Sequence, residues 1–206
     1  MPKELAVLDL AFPFAGRWLT QNSPADRVPS HGTTRFASSH SIDFVPVDAE
    51  DRSARFSLAS LLRPEPPERF VGFGRPVLAP ADGTVVSVHD ADPDHEAHRG
   101  FPSVGYALTQ SRRADRGWQH LAGNHILIRI DGAILALCHL QRGSIRTQVG
   151  AEVHVGEEIG RCGNSGNSTE PHLHLQAIDR TDPDRADAVP FTLRGRLPRN
   201  GEIVVA

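Results

Sequence analysis

At 206 residues the chain is long enough for one sizeable folded unit and short for two. A net charge of −3 offers no basic field to nucleic acid, and no apolar run is long enough to span a bilayer. The opening MPKELAVLDLAFPF lacks the charged n-region, h-region and cleavage site of a secretory signal, which leaves the cellular location open.

In chain order, the first informative stretch is PSHGTTRFASSHSIDFVPVD, residues 29–48. Asp43 lies there among Ile42, Phe44 and Val45 on a predicted short strand. A carboxylate set between apolar residues is costly to bury unless it is paired or binds a metal. FSLASLLR, Phe56 to Arg63, is the one predicted helix, ended by Pro64, Pro66 and Pro67. The Val- and Ile-rich runs GTVVSV, NHILIRI, AILALCHL, EVHVGEEIG and HLHLQAI are predicted strands, separated by turn signals such as Ile130 to Ala133, IDGA. They predict an antiparallel, mainly β architecture with long loops and little helix.

Residues 90–120 are polar and unpatterned, and read as a long loop that is mobile or walls a binding site. Its His95, His98 and His120 are expected to face solvent. Cys138 and Cys162 lie in apolar runs and read as two buried thiols rather than a bridge. The tail from Asp179 is loop-like with one possible last strand.

The histidines carry the chemistry. In a strand, residues i and i+2 share a face. HLHLQ therefore puts His172 and His174 on one side and Leu173 and Leu175 on the other, toward the core. His139 ends the run AILALCHL and is expected at a strand end or sheet surface. A catalytic zinc site takes three protein ligands and keeps one position open.

GRPVLAPADGTVVSV, AGNHILIRIDGAILALCHLQRGSI and VGAEVHVGEEIGRCGNSGNSTEPHLHLQ together resemble the LytM-type zinc metallopeptidases of the M23 endopeptidase family. The resemblance runs from about His31 to Asp179 and suggests one domain over 1–206 with extensions at both ends. It implies a distorted antiparallel β-sandwich with a groove across one sheet. It implies Zn²⁺ held by Asp43, His174 and an early His, with His139 and His172 flanking the attacking water. The implied substrate is a peptide bond in peptidoglycan stem peptides or cross-bridges. One carboxylate and two neutral His would leave a net charge of about +1 on the zinc site, suited to an anionic transition state. The same ligands could hold Fe²⁺ as a facial triad, but the flanking histidines favour hydrolysis.

The family places its early His four residues before the Asp, where this chain has Ser39. His40, three before Asp43, would face away from it on a regular strand. His31 lies on a Gly-containing loop that can fold back over the site, so His31 is the expected third ligand and His40 a wall or surface residue. The rival reading is an inactive LytM-like module that binds cell-wall enzymes or peptidoglycan. A biotin- or lipoyl-type carrier needs a Lys at a hairpin tip, and Lys3 is far from both hairpins.

Overall fold

The computed structural model describes residues 8–98 and 115–206. Twelve strands are described: β1 Leu8–Leu10, β2 Arg17–Gln21, β3 Ile42–Pro46, β4 Pro76–Leu78, β5 Gly83–His89, β6 Asn124–Ile130, β7 Ala133–Leu140, β8 Glu152–Val153, β9 Glu158–Arg161, β10 Leu173–Ile178, β11 Phe191–Leu193 and β12 Ile203–Val205. The one described α-helix, α1, is a single turn over Trp118–Ala122. The protein is mainly β, as its alternating apolar runs predict.

Eight strands form one antiparallel sheet in the order β12-β2-β3-β10-β7-β6-β5-β8. Two small sheets, β1-β11 and β4-β9, complete the set. The β6–β7 hairpin turns through Asp131 and Gly132, where Gly132 takes φ +80°; Asp-Gly is the pair a tight two-residue hairpin favours.

Strand alternation gives the large sheet two different faces. Ile42 and Phe44 of β3, Leu173 and Leu175 of β10, Leu135 and Leu137 of β7, and Ile126 and Ile128 of β6 belong to one buried cluster. Leu10, Phe191 and Leu193 from one small sheet, and Val77 and Ile159 from the other, close that cluster as a second layer. At about 25 cal/mol per Å² of apolar area removed from water, this layer is the main source of stability. On the opposite face Leu127, Ile134, Ala136, Cys138 and Ile178 pack with Trp118 and Ala122 of α1 in a smaller cluster. Asp43, His174 and Gln176 lie on this second face.

Several expectations are corrected. The predicted helix at Phe56 to Arg63 shrinks to a 3-10 turn at Leu58–Leu61, cut short by the prolines that follow. The tail supplies two strands rather than one, and β12 forms an edge of the large sheet. In the 90–120 stretch, residues 99–114 lie outside the described set. Ala97 bridges to Glu65, and α1 begins at Trp118. His120 is exposed, but His95 and His98 are half-buried. The His95 Nε2 lies 3.0 Å from the carbonyl of Gly166, so His95 lies against the chain rather than in open solvent. Cys138 and Cys162 are buried free thiols, and burial raises the pKa of both.

Candidate metal centre

Asp43 and His174 are direct partners across the antiparallel β3–β10 ladder. The register places a carboxylate opposite an imidazole, and Asp43 Oδ1 lies 2.8 Å from His174 Nδ1. His31 arrives from the loop ahead of β3, with Nε2 at 2.9 Å from Asp43 Oδ2. His31, Asp43 and His174 form the only described group of three or more His, Cys, Asp or Glu residues able to converge on one ion. Their ligand atoms lie within 4.8 Å of one another. His40 is not in the group. It closes a 3-10 turn, Arg35–His40, before β3 begins, and its Nδ1 lies 3.1 Å from Ser39 Oγ. His40 is thus off the strand, and strand alternation does not set the direction of its side chain.

His139 reaches the same face through a bulge. Asn124 pairs with Leu140 and Ile126 with Leu137, so His125 alone faces both Cys138 and His139. His139 takes φ +63°, a left-handed backbone that non-glycine residues seldom adopt. Regular alternation would have turned His139 toward the core with Leu137. Instead its ring centroid lies 4.6 Å from that of His172 and 5.9 Å from that of His174. His172 immediately precedes β10, and its Nε2 lies 3.9 Å from Asp43 Oδ1.

Each of the four histidines is held on its outer nitrogen. The His139 Nδ1 lies 3.0 Å from the Ser165 carbonyl, and the His172 Nδ1 lies 2.8 Å from the Glu170 carbonyl. A carbonyl only accepts, so both Nδ1 atoms carry hydrogen. The Ser41 hydroxyl donates to the Ser38 carbonyl at 2.7 Å, which leaves its oxygen to accept from His31 Nδ1 at 2.8 Å. Gln176 donates its amide to the Phe36 carbonyl, which turns Oε1 toward His174 Nε2 at 3.0 Å. Fixing the outer nitrogen fixes the tautomer. In the neutral form of each ring the inner nitrogen, His31 Nε2, His139 Nε2, His172 Nε2 or His174 Nδ1, is therefore the lone-pair acceptor.

This donor set fits a metal. Two lone-pair nitrogens within 3 Å of carboxylate oxygens repel unless a cation, a proton or a metal ion, stands between them. Burial would raise the pKa of Asp43, but the His31 charge and the hydrogen bonds of His174 and His31 hold it well below the usual carboxylate range. Burial opposes charge on His174; the hydrogen bond and charge of Asp43 outweigh it and raise the His174 pKa. Burial, reinforced by His172 and His174, pushes His139 well below the usual histidine value, so its imidazole is neutral at neutral pH. Two His and one carboxylate suit Zn²⁺.

Four supporting residues carry no sequence signal of their own. Asn22 donates to Asp43 Oδ2 at 2.7 Å. Ser41 and Gln176 hold His31 and His174, and Ser165 holds His139. The only available clue was i+2 spacing, which puts Gln176 on the face of His174.

Residues 105–185 match the model of peptidase family M23. The segment contains His139, His172 and His174 but not His31 or Asp43. The peptidoglycan DD-endopeptidase ShyA of Vibrio cholerae is 32% identical over 78 residues, 38% of this chain. The match spans only 18% of the length of that protein. Among solved structures, the catalytic domain of lysostaphin from Staphylococcus simulans aligns at 19% identity with a TM-score of 0.41, covering 76% of this chain and 80% of that one. A zinc-containing peptidase from Vibrio cholerae aligns at 19% identity with a TM-score of 0.36, covering 72% of this chain and 50% of the other. The resemblance read from the sequence runs from about His31 to Asp179, whereas the family match covers only residues 105–185.

Proposed function

From the family match of residues 105–185, we propose that this chain is a zinc-dependent endopeptidase that hydrolyses peptide bonds in peptidoglycan stem peptides or cross-bridges. The observation that carries the reading is the His31, Asp43 and His174 group with every outer nitrogen occupied. Such locks add nothing to a surface histidine, but they orient metal ligands. His31, Asp43 and His174 would hold the ion, and the likeness of 78 residues of this chain to a peptidoglycan endopeptidase supports the substrate class.

Zinc, when bound, supplies Lewis acidity toward a carbonyl and makes water more acidic. The protein residues do the rest. His139, kept neutral by burial, accepts a proton at Nε2. His172, held by Glu170 and Ser168, presents a second imidazole nitrogen beside Asp43, placed to take that proton or to donate to a developing oxyanion. A protein with this substrate acts at the cell envelope or outside it. No helix among the described residues is long and apolar enough to cross a membrane.

The test is digestion of purified peptidoglycan, followed by counting newly freed amino groups. New amino termini that depend on Asp43 support the reading. Retention of the protein on peptidoglycan with no new termini supports a binding module and overturns it.

A further inference from the structure

The candidate centre is completed from outside the matched segment. Asn22 directly follows β2, whose pairing with β3 sets Gln21 opposite Asp43. Its backbone is left-handed, φ +49°, a conformation that asparagine tolerates better than most residues. That turn brings the side-chain amide to Asp43 Oδ2 at 2.7 Å, the oxygen that also faces His31 Nε2.

The placement of Asn22 is fastened on its far side. Ser23 is fully buried. Its backbone amide donates to Asn200 Oδ1 at 2.7 Å and its hydroxyl to the Pro198 carbonyl at 2.6 Å. Asp26 accepts from the Asn200 amide at 2.6 Å, and the Gly201 amide donates to the Thr20 carbonyl at 2.9 Å. The N-terminal and C-terminal extensions thus grip each other, and the grip ends at Asn22. Binding residues are disproportionately found on loops held by a rigid scaffold, and the Asn22 side chain reaches a buried carboxylate.

We infer that Asn22 is a positioning residue for the metal centre: it pins the Asp43 carboxylate in the orientation that faces His31 and His174. The inference rests on the metal reading above and extends it to the chain segments before His31 and after Asp179. A buried carboxylate with one oxygen tied by an amide cannot rotate about its last bond without losing a charge-assisted hydrogen bond. Removing an outer partner of this kind typically weakens metal binding ~10–100-fold.

The test measures zinc affinity by competition with a chromophoric chelator, in the whole chain, for the wild type, Asp43→Ala, Asn22→Gly and Asn22→Ser. Glycine keeps the left-handed backbone without strain, and serine is too short to reach Asp43. Circular dichroism records that each metal-free variant is folded at the assay temperature, and Co²⁺ substituted for zinc reports ligand geometry through its visible bands. The expected result is zinc binding by the wild type, none by Asp43→Ala, and affinity weakened ~10–100-fold in both Asn22 variants with altered Co²⁺ bands. Asn22 variants that bind zinc as the wild type does, even if they melt lower, overturn the inference and leave the metal reading standing. A wild-type protein that binds no zinc overturns both.

Discussion

Asp43 and His174 stand opposite each other across the β3–β10 ladder, with Oδ1 and Nδ1 2.8 Å apart. One strand pairing thus sets the separation of two proposed ligands, and a loop adds the third. Sites on strands are held more tightly than sites on loops alone, so the loop ligand is where the assignment is most exposed to test. His31→Ala should lose both zinc and peptidoglycan cleavage, whereas His40→Ala should keep the metal. Metal analysis of the two purified variants checks this, and zinc retained by His31→Ala would remove His31 from the ligand set.

His139 lies against His172 and His174 without joining the group that converges on the ion. His139→Ala should retain one zinc per chain and lose ~10²–10³ in turnover, the usual cost of removing a general base or an oxyanion donor. Metal content and rate are to be measured on the same sample. Loss of zinc with the side chain would make His139 a ligand.

Gly123 ends α1 at φ +61°, where a Cβ would meet Gly166 N and the Ser165 carbonyl carbon at 2.6 Å. Those atoms belong to the loop whose Ser165 carbonyl holds His139. Gly123→Ala therefore combines backbone strain with displacement of that loop. It should cost more than ~1 kcal/mol of stability and lower cleavage together with it, read by thermal unfolding and by rate. A variant with wild-type melting and wild-type rate would show that the contact is slack.

His125 gives the fold a pH dependence. It is buried beside Trp118, and burial lowers its pKa from 6.5 to about 4. The folded state favours the neutral ring, so the unfolded chain binds the extra proton between these two values. The associated stability is fully present above pH 6.5 and is lost as the pH falls through about 4. The drop amounts to about 3 kcal/mol. In urea unfolding of metal-free protein, the loss of stability between pH 7 and pH 4 should be smaller by this order in His125→Gln. An unchanged drop would assign the dependence to other groups.

The parts of the fold that follow strict local rules were legible. Alternation in HLHLQAI placed Leu173 and Leu175 in the core and His174 on the other face, and the Asp131-Gly132 pair marked the hairpin. The burial of the two thiols followed from their apolar neighbours. Other features depend on long-range geometry. Period-2 alternation puts His139 on the core face, and only the bulge opposite His125 reverses that; a bulge is a property of two strands together. Asn22 lies 21 positions from Asp43 and carries no motif, so its contact exists only once β2 and β3 pair. Trp118–Ala122 is too short for a helical period to show, and it is anchored by packing against Leu127 and Ile134 rather than by propensity.

If His31, Asp43 and His174 make the zinc site that cleavage requires, cleavage must follow the metal. The most direct measurement follows new amino termini released from purified peptidoglycan by protein as isolated, after exhaustive chelation, and after return of one equivalent of Zn²⁺. Cleavage should disappear on chelation, return with zinc, and never appear in Asp43→Ala. Cleavage that persists in protein verified to be metal-free would contradict this dependence.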